Sequence, residues 1–182
     1  QRRMSIAENI KKYTEELPDT VDLVAISKTK PNEDIMEAYE VGQRIFGENK
    51  IQEMTDKWEE LPKDIEWHMV GHVQRNKVKY MAPYVNLIHA VDSLKLLKEI
   101  NKRAKQNKRS IDCLLQIKIA EEDSKFGISR QEAREILESQ AYAEMNHVNI
   151  VGLMGMATFT DDTQQIEEEF KSLKTIQDDL SS

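Results

Sequence analysis

Six short apolar runs recur along the chain at nearly even intervals, and this spacing is the feature that most constrains the fold. The first five runs begin 21 to 24 residues apart, which leaves room for a helix and two loops in each interval. Several runs are almost continuously apolar, as is typical of strands buried on both faces of a parallel sheet. The predicted strands span residues 21–27, 44–49, 66–71, 87–92, 111–120 and 148–158.

Longer amphipathic stretches separate these runs and predict helices. Residues 93–106 place Leu94, Leu97 and Ile100 at helical spacing. Ser129 followed by Glu132 has the pattern of a capping box, and Pro31 suits the first turn of a helix. Further helices are predicted at residues 4–17 and 163–179. Strands alternating with helices indicate an α/β protein with a parallel sheet.

The even spacing favours a (β/α) barrel over an open sheet. No G-x-G-x-x-G pattern follows the first run, which removes the main support for a dinucleotide-binding domain. A (β/α)₈ barrel has eight strands, whereas six are counted here. Either the sheet is open, or about two βα units lie beyond Ser182. We expect residues 1–182 to form one barrel domain that is incomplete at its C-terminus.

Charge and cysteine content exclude several classes of protein. The formal net charge of −7 gives no electrostatic reason to expect nucleic acid or an anionic membrane as a partner. The single cysteine, Cys113, excludes an intrachain disulfide framework and suits a cytoplasmic location. No apolar stretch approaches the roughly 20 residues of a membrane span. No spacing of His, Cys, Asp or Glu resembles a metal site, and no P-loop or G-x-S-x-G motif occurs.

Candidate functional residues are those at the carboxyl ends of the predicted strands, where ligands bind in such folds. Lys28 follows the first apolar run directly, so its ammonium would lie at the rim of the sheet and lose part of its hydration. A free lysine amine can form a Schiff base with an aldehyde, although a rim lysine is more often simply solvated. His68 is expected to be a hydrogen-bonded core residue, whereas His89 and His147 show no obvious partner.

Six motifs occur in the order found in one protein family. VAISKTKP at residues 24–31 resembles the lysine motif of the pyridoxal phosphate homeostasis proteins, the YggS/PROSC family. The others are FGEN at 46–49 with Gln52 and Glu53, WHMVGHVQRNK at 67–77, IHAVD at 88–92, QI at 116–117 with SKFG at 124–127, and GLMGM at 152–156. The resemblance extends from about residue 4 onward, and the ordered set is far more specific than any single motif.

This resemblance implies a (β/α)₈ TIM barrel of the alanine racemase N-terminal-domain type, with about six of its eight strands present. It implies a protein of intracellular PLP (vitamin B6) homeostasis that holds pyridoxal 5′-phosphate (PLP) as a Schiff base on Lys28. No catalytic residue and no strong turnover are expected. Asn49 and Met154 match positions near the cofactor ring, and Lys125 matches a family lysine near the mouth of the site. Apo PLP-dependent enzymes are candidate partners of a monomer or weak dimer.

One departure from the family pattern concerns the end of the chain. Family members continue with two further strands that supply most of the phosphate cradle, and the resemblance places them after Ser182. Two other functions stay open. A fold-type III PLP enzyme, such as an amino-acid racemase, needs an acid or base opposite the lysine, and Tyr80, Tyr84 and Tyr142 have no motif support. A Schiff-base aldolase would act without PLP.

Overall fold

The computed structural model describes residues 4–119, 127–156 and 163–181, in which strands and helices alternate. The strands are β1 Ala25–Ile26, β2 Ile45–Glu48, β3 Glu66–Met69, β4 Leu87–Val91, β5 Ile111–Ile117 and β6 Val148–Gly155. The helices are α1 Ile6–Glu16, α2 Asn32–Glu40, α3 Ile51–Glu60, α4 Val78–Met81, α5 Leu94–Gln106, α6 Arg130–Glu138, α7 Gln140–Ala143 and α8 Thr163–Ser181. A 3₁₀ turn at Arg75–Lys77 precedes α4.

The six strands form one parallel sheet in the order β1-β2-β3-β4-β5-β6. A doubly wound sheet reverses its strand order at a switch point, and this order has no reversal. Because parallel crossovers are right-handed, six strands in sequence order place the connecting helices on one face of the sheet. This is the winding of a (β/α) barrel, so the predicted fold class is confirmed.

The main core lies between the sheet and its helices. Phe46 on β2, Trp67 on β3 and Ile88 on β4 are almost completely buried, as are Leu97 and Ile100 on α5. Each fully buried side chain of this kind contributes about 1.5–3 kcal/mol to folding. The edge strands are less covered, since Ile26 on β1 and Val151 on β6 each expose about half of their surface. The core is therefore centred on β2 to β5.

The starts of the helices largely agree with the sequence-based predictions. Ser93 caps α5 by accepting a hydrogen bond from Leu96 N, and Ser129 with Glu132 forms the predicted capping box of α6. Pro31 is the N-cap of α2 instead of a residue in its first turn. The first strand is much shorter than predicted, because β1 pairs with β2 at only two positions. None of the helices in the described ranges is long and apolar enough to cross a membrane.

Candidate functional site

Lys28 and Asn49 follow the carboxyl ends of two neighbouring parallel strands, β1 and β2. Ile26 pairs with Gly47, and each candidate residue comes two positions after its member of this pair. Both are exposed, and no hydrogen bond or ion pair of the Lys28 ammonium is found among the described residues. The described residues therefore do not desolvate the Lys28 ammonium, contrary to the expectation from the sequence. The amine is accessible to a ligand.

Met154 lies on the opposite edge of the sheet. It is half-buried near the end of β6, where it pairs with the buried Gln116 of β5. Four strands separate β6 from β1 in the sheet order, so the strand order alone does not bring Met154 next to Lys28. Lys125 lies outside the described residues.

A buried ionic cluster supports the backbone on both sides of Lys28. The ammonium of Lys57, on α3, donates to Glu48 Oε1 at 2.5 Å, to Glu53 Oε2 at 2.7 Å and to the Ser27 carbonyl oxygen at 2.7 Å. Glu53 Oε2 also accepts a hydrogen bond from Thr29 N at 2.6 Å. This cluster was not predicted from the sequence, although Lys57 follows Ile51 and Met54 on the buried stripe of α3.

The two carboxylates of this cluster have opposite pKa shifts. Burial raises the pKa of Glu48, whose side chain is fully inaccessible, and the hydrogen bond from Lys57 only partly opposes this effect. The hydrogen bond from Lys57 lowers the pKa of the more exposed Glu53, which therefore stays ionised at neutral pH. Glu48 Oε2 has no hydrogen-bond partner among the described residues. Glu53, rather than Glu48, is thus the carboxylate that keeps its negative charge next to Lys57, beside the Lys28 backbone.

Gly71 allows a close approach of two loops at this end of the sheet. A Cβ atom built on Gly71 would lie 2.6 Å from the Asn49 carbonyl oxygen and 3.0 Å from its side-chain Oδ1. A backbone oxygen cannot rotate away as the end of a side chain can. The absence of a side chain at Gly71 is therefore what permits Asn49 to lie this close to it.

Gly71→Ala should displace Asn49 and lower the free energy of unfolding by about 2 kcal/mol, the usual cost of forcing atoms into a packed site. Urea unfolding measures this loss. Gly152→Ala is the matched control, because its added Cβ meets only a Leu114 methyl group at 3.3 Å. Equal stability of the two variants would contradict the close approach at Gly71.

Two histidines form a hydrogen-bonded chain with Glu66 on β3 and β4. His68 Nε2 lies 2.8 Å from Glu66 Oε2, and His68 Nδ1 lies 3.0 Å from His89 Nε2. With both rings neutral, this network requires His89 to donate to His68, and His68 to donate to the carboxylate. The prediction that His68 is a bonded core residue is confirmed, whereas the partner of His89 was missed. Burial, with a smaller effect of His68, lowers the pKa of His89 to about 4.

His89→Gln should flatten the loss of stability in mild acid. Unfolded His89 takes up a proton near pH 6.5, but the folded residue does so only near pH 4. The free energy of unfolding therefore falls as the pH is lowered from about 6.5 to about 4. Allowing for solvent screening, the contribution is about 1–2 kcal/mol. Urea unfolding at pH 7.0 and 4.5 measures it, and the carboxylates act alike in both proteins. An equally steep loss in the variant would contradict the prediction.

The cavities and the candidate metal ligands give little further information about the site at the carboxyl ends of the strands. A cavity of about 140 Å³ is lined by Ile26, Ser27 and Lys30 among others, but not by Lys28. A larger one of about 320 Å³ lies at the amino ends of β1 and β2, next to Leu23 and Ile45 and away from Lys28. Within the described residues, no group of three or more His, Cys, Asp or Glu side chains could hold a metal ion.

Comparison with known proteins gives consistent matches over nearly the whole chain. The family model for the alanine racemase N-terminal domain matches residues 2–182. The pyridoxal phosphate homeostasis protein of Aquifex aeolicus is 34% identical, covering 99% of this chain and 80% of that protein. Its counterpart in Helicobacter pylori is 39% identical, covering 89% of this chain and 73% of that protein.

A solved structure agrees with these relatives. PipY of Synechococcus elongatus PCC7942, with PLP bound, superposes with a TM-score of 0.88 at 32% sequence identity, over 97% of this chain and 82% of PipY. The chain therefore belongs to the alanine racemase N-terminal-domain family and, within it, to the pyridoxal phosphate homeostasis proteins. This confirms the family inferred from the six motifs.

Proposed function

We propose that this chain binds PLP as a Schiff base on Lys28 and serves intracellular PLP homeostasis without strong catalytic turnover. The observation that carries the proposal is the position of Lys28, an exposed lysine just beyond the carboxyl end of β1, whose parallel neighbour β2 is followed by Asn49. The names of the relatives and the PLP bound to PipY support the same ligand.

The residues at this end of the sheet fit such a ligand. Lys28 has no ammonium partner among the described residues, and the backbone on either side of it is fixed by Lys57 and Glu53. PLP supplies an aldehyde and an electron-withdrawing ring. Lys28 would supply the nitrogen that attacks the aldehyde, since only the free amine has the lone pair needed. Condensation would replace the aldehyde C=O bond by a C=N bond, with loss of one proton and one water molecule.

Asn49 and Met154 are the other two proposed cofactor contacts. Asn49 offers an amide that can both donate and accept hydrogen bonds, at the end of the strand next to the one that Lys28 follows and close to Gly71. Met154 offers a polarisable thioether suited to contact with an aromatic ring. Its place on β6 means that this contact requires the sheet to curve towards a closed barrel, as the family fold does.

The absence of strong turnover is part of the proposal. Racemisation requires an acid or base across the cofactor from the lysine. Tyr84 is buried and bonded to Thr55 Oγ1, Tyr142 accepts from Ile150 N, and Tyr80 lies exposed on α4. These placements favour a carrier over a racemase. Apo PLP-dependent enzymes are its proposed partners, and we propose that it acts in the cytoplasm as a monomer or weak dimer.

Trapping the bound cofactor tests the proposal. PLP is added to the purified chain, the absorbance band of the Schiff base is recorded, and borohydride reduction is followed by peptide mapping. We expect the label on Lys28. Label on another lysine, or none, would overturn the site. Exchange of the α-proton of amino acids in deuterated water at a rate well above that with free PLP would instead favour a PLP-dependent enzyme, such as an amino-acid racemase, over a carrier.

A further inference from the structure

The backbone on both sides of Lys28 is bonded to one helix. Ser27, before it, accepts a hydrogen bond from Lys57 Nζ at 2.7 Å, and Thr29, after it, donates one to Glu53 Oε2 at 2.6 Å. Lys57 and Glu53 are one turn apart on α3 and are themselves an ion pair. The Lys28 side chain bonds neither of them, so α3 acts on the backbone around Lys28 alone.

Thr29 adopts a backbone conformation that needs this support. Its φ of +62° lies in the left-handed region, which is unfavourable for a β-branched residue. Such strain persists only where the surroundings hold it, and it clusters at functional sites. The bond to Glu53 holds the amide of Thr29, and the Thr29 hydroxyl donates to the Lys28 carbonyl oxygen at 2.6 Å. The strained turn therefore sets the direction in which Lys28 leaves the sheet.

Helix packing alone does not require a charged cluster at this position. A buried ion pair contributes little net stability compared with apolar side chains of similar volume, because both charges lose their hydration. Apolar residues could hold α3 on the sheet, but they could not make directed bonds to the Ser27 carbonyl oxygen and the Thr29 amide. What the cluster adds is a fixed backbone at Lys28.

We propose that Lys57 and Glu53 are positioning residues that make Lys28 more reactive towards aldehydes than neighbouring exposed lysines. Lys30 serves as the internal comparison, since it is also exposed, lies two residues away and has no side-chain bond to the cluster. This inference rests on the proposed function, because it concerns the reactivity of the same amine. Neither residue is proposed to touch the cofactor.

The test measures where PLP attaches in a folded variant. Glu53→Ala and the parent chain are treated with limiting PLP, reduced with borohydride and mapped by peptide, and the ratio of label on Lys28 to label on Lys30 is determined. We expect this ratio to fall about tenfold, the size expected for loss of one charge-assisted hydrogen bond. Glu59→Ala is the matched control on the same helix, and its ratio should equal that of the parent.

A conservative variant separates positioning from general loss of structure. Glu53→Gln keeps an oxygen acceptor for Thr29 N but loses the charge, so its labelling ratio should lie between those of the parent and Glu53→Ala. It also provides the measurement if Glu53→Ala does not fold, as judged by circular dichroism. An unchanged ratio in folded Glu53 variants would overturn this inference alone. A parent chain that attaches no PLP at Lys28 would overturn the proposed function and this inference with it.

Discussion

Lys28→Ala should abolish the borohydride-stable attachment of PLP while changing the free energy of unfolding by no more than about 0.5 kcal/mol. The loss is expected because Lys28 supplies the proposed amine, and α3 holds the backbone on both sides of it. Stability should be kept because Lys28 is exposed and its ammonium bonds no described residue. Absorbance, peptide mapping and urea unfolding of the same preparation measure both effects.

Two controls separate the amine of Lys28 from its charge. Lys28→Arg keeps the positive charge, but a guanidinium stays protonated and does not attack an aldehyde, so this variant should also lose the attachment. Lys30→Ala should keep it. A large loss of stability in Lys28→Ala would instead show that the residue supports the fold, and retained label would show that another lysine is the site.

The order of the strands could be predicted because it depends on features of consecutive segments. Apolar runs about one βα unit apart encode a parallel sheet, and all six runs contain an observed strand. The extent of β1 could not be predicted from its own residues. Residues 21–24 are apolar enough for a strand, but the backbone pairs with β2 only at Ala25 and Ile26. Strand length depends on the partner as well as on propensity.

The residues of the candidate site divide in the same way. Some can be predicted from their neighbours in the sequence, and others depend on contacts between distant segments. Lys28 directly follows an apolar run and Asn49 ends the next one, and the family resemblance then singles out both as cofactor contacts. Glu53 and Lys57, four residues apart on a predicted helix, look like an ordinary surface pair. Only the packing of α3 against the end of β2 shows that Lys57 is buried and reaches Ser27. His89 was missed for a similar reason, since its bond to His68 depends on strand pairing.

Glu48→Ala should cause a large loss of stability, about 3 kcal/mol in the free energy of unfolding. Glu48 is fully buried and accepts a 2.5 Å hydrogen bond from Lys57, so truncation leaves a cavity and removes one of two carboxylates around a buried ammonium. The loss is expected at the lower end for a broken buried pair, because Glu53 still faces Lys57. Urea unfolding at pH 7 measures it.

Glu48→Gln separates the hydrogen bond of Glu48 from its charge. The amide oxygen can still accept from Lys57, the volume is kept, and burial already disfavours the charged carboxylate, since the pKa of Glu48 is raised. This variant should therefore lose about 1 kcal/mol or less, as for one neutral hydrogen bond replacing a charged one. Equal, large losses in Glu48→Gln and Glu48→Ala would mean that the negative charge itself stabilises the cluster. A loss below about 1 kcal/mol in Glu48→Ala would mean that Glu53 and the Ser27 carbonyl oxygen are enough to hold Lys57.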